Sequence, residues 1–258
     1  MASGVLDRFS LSGRVILITG STRGIGRALA QACAEAGALV VINARTAADV
    51  DATVGELRSE GLEAAGWAAD VTDAAAVAAM VDDIESGFGP VFGLVNNAGV
   101  QHRAPFTDFS LDDYRDIMTR NLVAPFIVAQ AVARPMAARG AGRIVNIGSV
   151  QSKLGRPTIA PYAASKGGLV MLTKGMCADL GPAGLQVNCV APGYFKTELT
   201  QALVDDADFS AWVAARTPAG RWGDVQELGP AVVFLLSDAA SFINGQVLFV
   251  DGGMTAVV

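Results

Sequence analysis

The sequence predicts an α/β fold, a single Rossmann-type domain with a doubly wound sheet. Two observations lead to this prediction. Seven short, largely apolar runs alternate with helix-like segments along the whole chain, as in parallel sheets that carry helices on both faces. In addition, the first run is followed at once by a glycine-rich loop that opens a helix, which is the arrangement of a phosphate-binding turn.

The predicted strands and helices cover the chain without a linker. The strands lie at 15–19, 38–43, 64–69, 92–96, 143–147, 185–190 and 246–250, and we expect each of them to be fully buried. Helices are predicted at 47–60, 73–86, 111–139, 162–180 and 225–236, besides the helix after the glycine loop. We therefore expect one dinucleotide-binding catalytic domain over 1–258, with the less regular segment at about 193–223 forming a substrate lid.

Composition and charge exclude several classes of protein. The chain has 258 residues, 52% of them hydrophobic, which is enough to bury the core of one α/β domain. A formal net charge of −6 argues against a nucleic-acid partner, which requires a basic surface. No apolar run reaches the ~18 residues of a membrane span, and the start of the chain lacks the pattern of a signal peptide, so we expect a cytoplasmic protein. Three scattered cysteines and one histidine predict no metal site.

The glycine loop has the spacing of a dinucleotide-binding turn. Gly20 permits a tight turn, Gly24 allows the backbone to approach a pyrophosphate, and Gly26 allows close packing of the helix on the strand. An anion bound there would lie at the helix N-terminus. Because the chain has 29 glycines, the strand, loop and helix context is what makes this prediction specific.

A Tyr-x-x-x-Lys pair, Tyr162 and Lys166, predicts acid–base chemistry. On a helix, residues i and i+4 lie on the same face, so the ammonium group would lie beside the phenol and lower its pKa from near ~10. The phenol would then exchange a proton near neutral pH. The alternative for an isolated pair is an exposed helix pair without a function, and the accompanying motifs decide against it.

Charge at the end of the second strand predicts which cofactor is used. An NAD-dependent enzyme would place an Asp there, on the ribose hydroxyls, but the position holds Ala44. Arg45 follows directly and Arg23 lies in the glycine loop, so two guanidinium groups would converge on the 2′-phosphate of NADP. The alternative is that both arginines face solvent. Together they favour NADP over NAD.

These motifs resemble those of the short-chain dehydrogenases/reductases, and the resemblance covers the whole chain. The family's motifs occur in order and with its usual spacing. They are Thr19-Gly20-x-x-x-Gly24-Ile25-Gly26, Asp70-Val71, Asn96-Asn97-Ala98-Gly99, Asn121, Ser149, Tyr162-x-x-x-Lys166, Pro192-Gly193 and Thr197. The resemblance implies about seven parallel strands, a homotetramer, and hydride transfer between a secondary alcohol and a ketone.

The resemblance also implies a role for each matching residue. Tyr162 would exchange the proton, Lys166 would hold the nicotinamide ribose, and Ser149 would bind the reacting oxygen. Asn121 would join a water-mediated proton relay to Lys166. The alternatives are structural, since a serine often caps a turn and an asparagine often bonds a neighbouring backbone group. The implied cofactor-binding residues are Gly20, Ser21, Thr22, Arg23, Gly24, Ile25, Gly26, Arg45, Asp70, Val71, Asn97, Ala98, Gly99, Tyr162, Lys166, Pro192, Gly193, Phe195 and Thr197, and the implied substrate-binding residues are Arg103, Ser149, Gln151 and Tyr162.

The loop Asn96-Asn97-Ala98-Gly99 allows both a structural and a functional interpretation. Amide side chains often bridge loops, whereas small residues leave space for a ligand. We expect both here. Asn97 would hold neighbouring strands together, and Ala98 and Gly99 would leave room for the adenosine ribose of the cofactor.

Four further stretches, 98–105, 192–195, 216–223 and 243–246, resemble the branch of the family that interconverts gluconate and 5-ketogluconate. Arg103, Lys153, Arg156 and Arg221 fall in loops expected at the carboxyl edge of the sheet, where a cationic mouth would suit an anionic substrate. Arg103 is the predicted carboxylate-binding residue. The alternative for this arginine is that it tethers its own loop through Asp108.

Three functions remain open at this point. The first is an NADP-dependent dehydrogenase of a sugar acid such as gluconate. The second is a reductase of another carbonyl compound, such as a 3-oxoacyl thioester, or another short-chain alcohol dehydrogenase. The third is a non-catalytic NADP-binding sensor, which is disfavoured because a sensor would have no need of the complete set Asn121, Ser149, Tyr162 and Lys166.

Overall fold

Seven parallel strands form the main sheet. The computed structural model describes residues 4–258, apart from the side chain of Leu199. The strands are β1 (Val15–Thr19), β2 (Leu39–Ala44), β3 (Ala64–Ala68), β4 (Val91–Asn96), β5 (Gly142–Ile147), β6 (Leu185–Pro192) and, after a separate pair formed by β7 (Phe195–Lys196) and β8 (Gly223–Asp224), β9 (Val247–Val250). Their order across the main sheet is β3-β2-β1-β4-β5-β6-β9, and every neighbouring pair is parallel. The predicted doubly wound sheet is confirmed.

Helices alternate with these strands. They are α1 (Gly24–Glu35), α2 (Ala47–Ser59), α3 (Ala74–Phe88), α4 (Leu111–Met118), α5 (Ala124–Arg139), α6 (Ala160–Leu180), α7 (Gln201–Val204), α8 (Ala207–Arg216) and α9 (Gly229–Leu236). A π-helical turn, Thr119–Val123, joins α4 to α5 within the single helix that was predicted there. The predicted helix at 225–236 is a 3₁₀ turn, Val225–Leu228, followed by α9.

The sheet separates two apolar layers because successive side chains of a strand point to opposite faces. Ile16 and Ile18 of β1 belong to one buried cluster, together with Leu29 of α1. Leu17, between them in the sequence, belongs to the other cluster, together with Val132 of α5. Burying each such side chain contributes roughly 1.5–3 kcal/mol, so a strand that is apolar throughout stabilises helices on both faces.

The two edge strands are less buried than the sequence predicts. In β3 the side chain of Ala68 is exposed, and in β9 Leu248 is 39% exposed. The prediction that all seven strands are fully buried is therefore wrong for β3 and β9. Each of these strands has a sheet neighbour on one side only, so part of its surface is not covered within this chain.

The strand order places a cleft at the carboxyl ends of β1 and β4. From β1 the chain moves outward to β2 and β3, then returns to form β4 on the other side of β1. At such a reversal the loops that follow the two strands turn in opposite directions and leave a crevice between them. The residues of the candidate site come from the loops at this edge.

The segment at about 193–223 is more regular than the sequence predicts. It contains β7, α7 and α8, and it ends at β8. Phe195 pairs with Gly223 and Lys196 pairs with Asp224, so the two ends of the segment are held together beside the main sheet. Its description as a lid remains a prediction.

One helical stretch in the part of the chain that the structure describes, Leu111–Arg139, is long and apolar enough by composition to cross a membrane. The sequence analysis expected no run of that kind. Val128, Val132 and Met136 of this stretch lie in the buried cluster on one face of the sheet. Packing inside the domain therefore accounts for its apolar character.

Candidate active site

The glycine loop after β1 has the backbone that the sequence predicts. Gly20 and Gly24 adopt φ values of 61° and 55°, a conformation that L side chains rarely adopt. A Cβ atom on Gly20 would lie 2.9 Å from the Cα atom of Ala98, and one on Gly26 would overlap the carbonyl oxygen of Gly20. Around Gly24, in contrast, there is open space. The loop is thus closed on its protein side and open where a phosphate would approach.

Hydrogen bonds fix the loop after β4 to this turn. The Asn97 side chain donates to the carbonyl oxygens of Thr19 and Gly20, at 3.0 and 2.9 Å. The Thr19 hydroxyl accepts from the backbone N–H groups of Asn97 and Ala98. The expected bridging role of Asn97 is thus present. Gly99 makes room for a protein atom rather than only for a ligand, because a Cβ there would lie 3.0 Å from Oδ1 of Asn121.

The side chain of Ser21 faces the protein. Its hydroxyl donates to the carbonyl oxygen of Ile18 at 2.7 Å and accepts from the N–H of Asn43 at 3.0 Å, between β1 and β2. Ser21 is fully buried. Its predicted contact with the cofactor is therefore restricted to the backbone.

Positive charge and free N–H groups surround the open side of the glycine loop. Arg23 is the N-cap of α1 and makes no side-chain capping bond, so the N–H groups of the first helical turn are available to an anion. Arg23 and Arg45 are exposed, and neither forms an ion pair within residues 4–258. Hydrogen bonds from Thr72 lower the pKa of Asp70, and the nearby charge of Arg45 adds to this effect. Arg45 and Asp70 thus lie near each other at the ends of β2 and β3.

Tyr162 and Lys166 lie one turn apart on α6, as predicted. The Lys166 ammonium group donates to the carbonyl oxygen of Ile147, the last residue of β5, at 2.7 Å. It lies 5.7 Å from the centre of the Tyr162 ring. Because the hydrogen bond ties α6 to the end of β5, it also fixes the position of Tyr162 at the edge of the sheet.

The pKa of Tyr162 moves in the opposite direction from the prediction. Burial of the phenol raises its pKa, and the neighbouring Ser149 hydroxyl, which lowers it, does not compensate. Burial also lowers the pKa of Lys166 to about 8. The expected lowering of the Tyr162 pKa is wrong for this structure, because the cost of removing the charged phenolate from water is the largest influence on this group.

Ser149 and Asn121 make structural hydrogen bonds in addition to any role in chemistry. Ser149 is buried directly after β5, and its hydroxyl accepts from the backbone N–H of Gln151 at 3.1 Å, as an N-cap. The fully buried Asn121 lies in the π-helical turn and exchanges hydrogen bonds with the backbone of Val100, at 2.8 and 2.9 Å. It also donates to the hydroxyl of Ser165. The relay from Asn121 to Lys166 remains a prediction.

The residues that follow β6 make structural contacts, and they lie at the same edge of the sheet as the rest of the candidate site. A Cβ atom on Gly193 would lie 2.8 Å from the Cα atom of Asp251, so only glycine fits there. The Phe195 ring is buried against Gly223, and the hydroxyl of Thr197 caps the short helix that follows. Their side chains serve the protein, so the predicted contacts of Phe195 and Thr197 with a cofactor would involve the backbone.

The four predicted cations of the site mouth have different surroundings. Arg221 is bound by both oxygens of Glu227, at 2.8 and 2.7 Å, which neutralises its charge. Lys153 donates to the carbonyl oxygen of Thr255 at 3.1 Å. Arg103 and Arg156 make no ion pair with any carboxylate among the described residues. The alternative tether from Arg103 to Asp108 is therefore absent.

The sequence analysis assigned no function to Tyr194, although it lies at the centre of this mouth. Its hydroxyl accepts a hydrogen bond from Arg156 at 3.3 Å, and it lies close enough to Tyr162 and Arg103 to influence their pKa values. The only available signal was the unusual density of aromatic residues in the segment at 193–223. The predicted substrate residue Gln151 is also buried, and its side-chain oxygen has no hydrogen-bond partner within residues 4–258.

This geometry defines a class of protein. A phosphate-binding glycine turn and a Tyr–Lys–Ser group lie at the same edge of one doubly wound sheet, which is the arrangement of a nicotinamide-dependent oxidoreductase. A family model described as enoyl-(acyl carrier protein) reductase matches residues 20–255. The chain belongs to the short-chain dehydrogenase/reductase family, as predicted.

Three relatives illustrate how similar the chain is to known proteins. A gluconate 5-dehydrogenase from Gluconobacter oxydans is 55% identical over 249 residues, covering 96% of this chain and 97% of the relative. A 5-keto-D-gluconate 5-reductase from Escherichia coli is 52% identical, covering 98% of this chain and 99% of the relative. The crystal structure of a gluconate 5-dehydrogenase from Burkholderia cenocepacia, in complex with NADP and tartrate, is 56% identical with a TM-score of 0.97, covering 99% of this chain and 100% of that one. The predicted resemblance to this branch of the family is confirmed.

Proposed function

We propose that the protein catalyses the NADP-dependent interconversion of gluconate and 5-ketogluconate. The observation that carries this proposal is the placement of Tyr162, Lys166 and Ser149 beside two unpaired arginines, Arg103 and Arg156, at one edge of the sheet. The first group suits a secondary alcohol or ketone, and the arginines suit a carboxylate. The substrates named for the relatives contain both functional groups.

The residues around the glycine loop fit NADP. The uncapped N-terminus of α1 and the open space at Gly24 suit the pyrophosphate, while Arg23 and Arg45 suit the 2′-phosphate. The structure of the relative from Burkholderia cenocepacia contains NADP, which supports the same choice here. Asp70 and Val71, after β3, would contact the adenine end, and Pro192 and Gly193 would contact the nicotinamide end through their backbones.

In the proposed mechanism, the bound nicotinamide supplies or accepts the hydride, and the protein handles the proton. The Ser149 hydroxyl donates a hydrogen bond to the ketone oxygen and holds it next to Tyr162. As the hydride reaches the carbonyl carbon, the phenol of Tyr162 donates its proton to that oxygen. A raised pKa keeps this phenol protonated at neutral pH, which suits the reduction. Lys166 would bind the ribose hydroxyls and return a proton to Tyr162, with Asn121 on the path to solvent.

Recognition of the substrate carboxylate is assigned to Arg103. This side chain has no carboxylate partner within residues 4–258, and its pKa is lowered by partial removal of the guanidinium group from water and by the charge of Arg156. A bound carboxylate would compensate both effects. The side-chain oxygen of Gln151, buried without a partner, is available to accept a hydrogen bond from a substrate hydroxyl.

The decisive experiment compares two carbonyl substrates. Oxidation of NADPH by the purified protein is measured with 5-ketogluconate and with an acetoacetyl thioester. We expect a kcat/KM higher by about 100-fold or more for the sugar acid, because the buried polar groups of the site would be left unpaired by the thioester. A preference for the thioester would contradict the proposal and favour a 3-oxoacyl thioester reductase. Loss of activity in Tyr162→Phe is the control for a contaminating enzyme.

We further propose one domain with a lid at about 193–223, a homotetramer and a cytoplasmic location. Two groups among the exposed apolar side chains support the oligomer. Leu111, Tyr114 and Phe126 lie on α4 and α5, while Leu248 lies in the edge strand β9 and Phe242 precedes this strand. Two separate apolar surfaces are what a tetramer with two kinds of interface requires. Light scattering coupled to size-exclusion chromatography tests the tetramer.

A further inference from the structure

Arg103 and Arg156 are carried by two loops that are joined to each other. The backbone N–H of Ala104 donates to the carbonyl oxygen of Thr158 at 3.1 Å. Thr158 has a φ of 71°, and it is the one non-glycine residue with positive φ among residues 4–258. A β-branched residue in this conformation is strained by about 1–3 kcal/mol. The surrounding structure therefore holds the two arginine-bearing loops together, although the strained backbone of Thr158 costs free energy.

The guanidinium group of Arg156 is held by the segment at 193–223. It donates to the hydroxyl of Tyr194 at 3.3 Å, and its central carbon lies 4.9 Å from the centre of the Phe209 ring, on α8. Tyr194 in turn packs edge-on against Phe209, Trp212 and Trp222, each at 5.7 Å between ring centres. Cation–π and hydrogen-bond contacts thus orient the arginine without neutralising it.

Two positive charges then lie near each other, and neither has a carboxylate partner within residues 4–258. Arg156 is close enough to lower the pKa of Arg103 by repulsion. The contrast is Arg221, whose charge is bound by both oxygens of Glu227 in the same region of the protein. Neighbouring like charges are costly, and they are retained where a ligand of opposite charge completes the arrangement. The partner missing from this arrangement is an anion.

We propose that Arg156 is a second carboxylate-binding residue, held in place by Tyr194 and Phe209, and that it forms with Arg103 a two-arginine site for the carboxylate of a sugar acid. This inference rests on the proposed function and deepens it. Binding of the carboxylate removes the repulsion between the two guanidinium groups.

The first test measures binding without catalysis. Tartrate, a hydroxy dicarboxylate that accompanies NADP in the relative from Burkholderia cenocepacia, is titrated calorimetrically into the protein saturated with NADP. Arg156→Leu should weaken tartrate binding by about tenfold or more, because a charge-assisted hydrogen bond is lost. Arg8→Leu, which removes an exposed arginine near the N-terminus, is the matched control and should bind as the wild type does. Unchanged binding in Arg156→Leu would overturn the inference.

The second test separates charge recognition from general damage. KM and kcat are measured for 5-ketogluconate and for its uncharged amide. Arg156→Leu should raise KM for the acid by about tenfold or more and leave kcat/KM for the amide within about twofold, while Arg156→Lys should recover part of the loss. An equal loss for both substrates means that Arg156 is structural. If the wild type does not reduce 5-ketogluconate but tartrate binding still depends on Arg156, the proposed substrate fails and the two-arginine site remains.

The third test addresses Tyr194 as a positioning residue. Tyr194→Phe removes the hydroxyl that holds Arg156 and keeps the ring. KM for the acid should rise by about threefold, with kcat and thermal stability nearly unchanged, because one neutral hydrogen bond is lost. Trp212→Phe, in the same aromatic cluster but without a contact to Arg156, is the control and should leave KM unchanged. A fall in stability with no rise in KM would show that Tyr194 only fills the cluster.

Discussion

The glycine loop and the site mouth bind charge in different ways. Around the glycine loop, side chains such as Asn97 and Ser21 bond to the protein, and backbone N–H groups are left to bind a phosphate. At the mouth, two side chains from separate loops, Arg103 and Arg156, have no carboxylate partner within residues 4–258, although Arg156 donates to the hydroxyl of Tyr194. The first design depends on spacing within a few residues of sequence, whereas the second depends on how distant loops pack. The proposed phosphate site can therefore be predicted from the sequence, whereas the proposed carboxylate site depends on contacts that only the structure shows.

The largest expected effect comes from Tyr162, which the sequence analysis assigns to both the cofactor-binding and the substrate-binding residues. Tyr162→Phe removes the transferable proton and little volume, so kcat should fall by about 10²–10⁴-fold. The dissociation constants for NADPH, measured by fluorescence titration, and for tartrate should stay within about twofold of the wild type. Near-normal kcat in this variant would show that the assigned acid–base role is wrong. Weaker binding of NADPH or of tartrate would show that Tyr162 also maintains the structure of the region that binds that ligand.

A second prediction tests whether a side chain, in addition to backbone N–H groups, binds the phosphate groups of the cofactor. Arg45 is the exposed side chain assigned to the 2′-phosphate, so Arg45→Ala should weaken NADPH by about tenfold or more and NADH much less. Ala44→Asp, which places a negative charge there, should shift the preference further toward NADH. Binding titrations with both cofactors provide the measurement. Equal losses of affinity for NADPH and NADH in Arg45→Ala would mean that only Arg23 and the loop backbone bind the 2′-phosphate.

A third prediction concerns the pH dependence of stability that two buried cysteine thiols cause, one in the core beneath each of the two regions. Burial raises the pKa of Cys33, on α1, to about 12 and that of Cys189, on β6, to about 11, from 9.0 in both cases. The unfolded chain therefore releases these protons first, so the stabilisation is complete below pH 9 and is lost as the pH rises above it. Between pH 9 and 10, each thiol should remove about 1 kcal/mol from the free energy of unfolding.

Urea unfolding under reducing conditions measures this loss. Cys33→Ala should lose about 1 kcal/mol less stability than the wild type between pH 9 and 10, and Cys189→Ala should behave alike. Lys166, whose pKa is lowered to about 8, acts in the opposite direction over this range, and its contribution cancels in the comparison of the wild type with Cys33→Ala. In Cys189→Ala it does not cancel fully, because Cys189 and Lys166 influence each other's pKa. Identical pH dependence in wild type and Cys33→Ala would mean that water reaches the thiol beneath the cofactor region.

The smallest expected effect concerns the paired arginine of the mouth. Arg221→Leu should leave KM for 5-ketogluconate within about twofold of the wild type, because the Glu227 carboxylate already occupies the guanidinium group. Steady-state kinetics provide the measurement, with Arg103→Leu as the variant expected to raise KM by about tenfold or more. A large increase in Arg221→Leu would remove the distinction between paired and unpaired arginines.

The sequence predicts the fold and the cofactor end of the site to a large extent, because both depend on local patterns. Each predicted strand overlaps an observed one, and Tyr162 and Lys166 share a face of α6 because helical spacing is a property of a few neighbouring residues. The direction of the Tyr162 pKa shift was not predictable, since it depends on how many distant residues exclude water from the phenol. The contact between Arg156 and Tyr194 joins residues 38 positions apart and leaves no periodic signal.

Because of the π-helical turn at Thr119–Val123, the active site depends on the number of residues in this helical stretch. Its hydrogen bonds span one residue more than those of an α-helix, so it accommodates one residue in excess of the regular repeat. Deletion of Val123, which is 45% exposed, would allow a continuous α-helix but would rotate α4 by about 100° relative to α5. Ile117, now fully buried, would turn out of the core, and Asn121 would lose its bond to Val100. A deletion that improves the regularity of the helix should therefore cost the enzyme its active site.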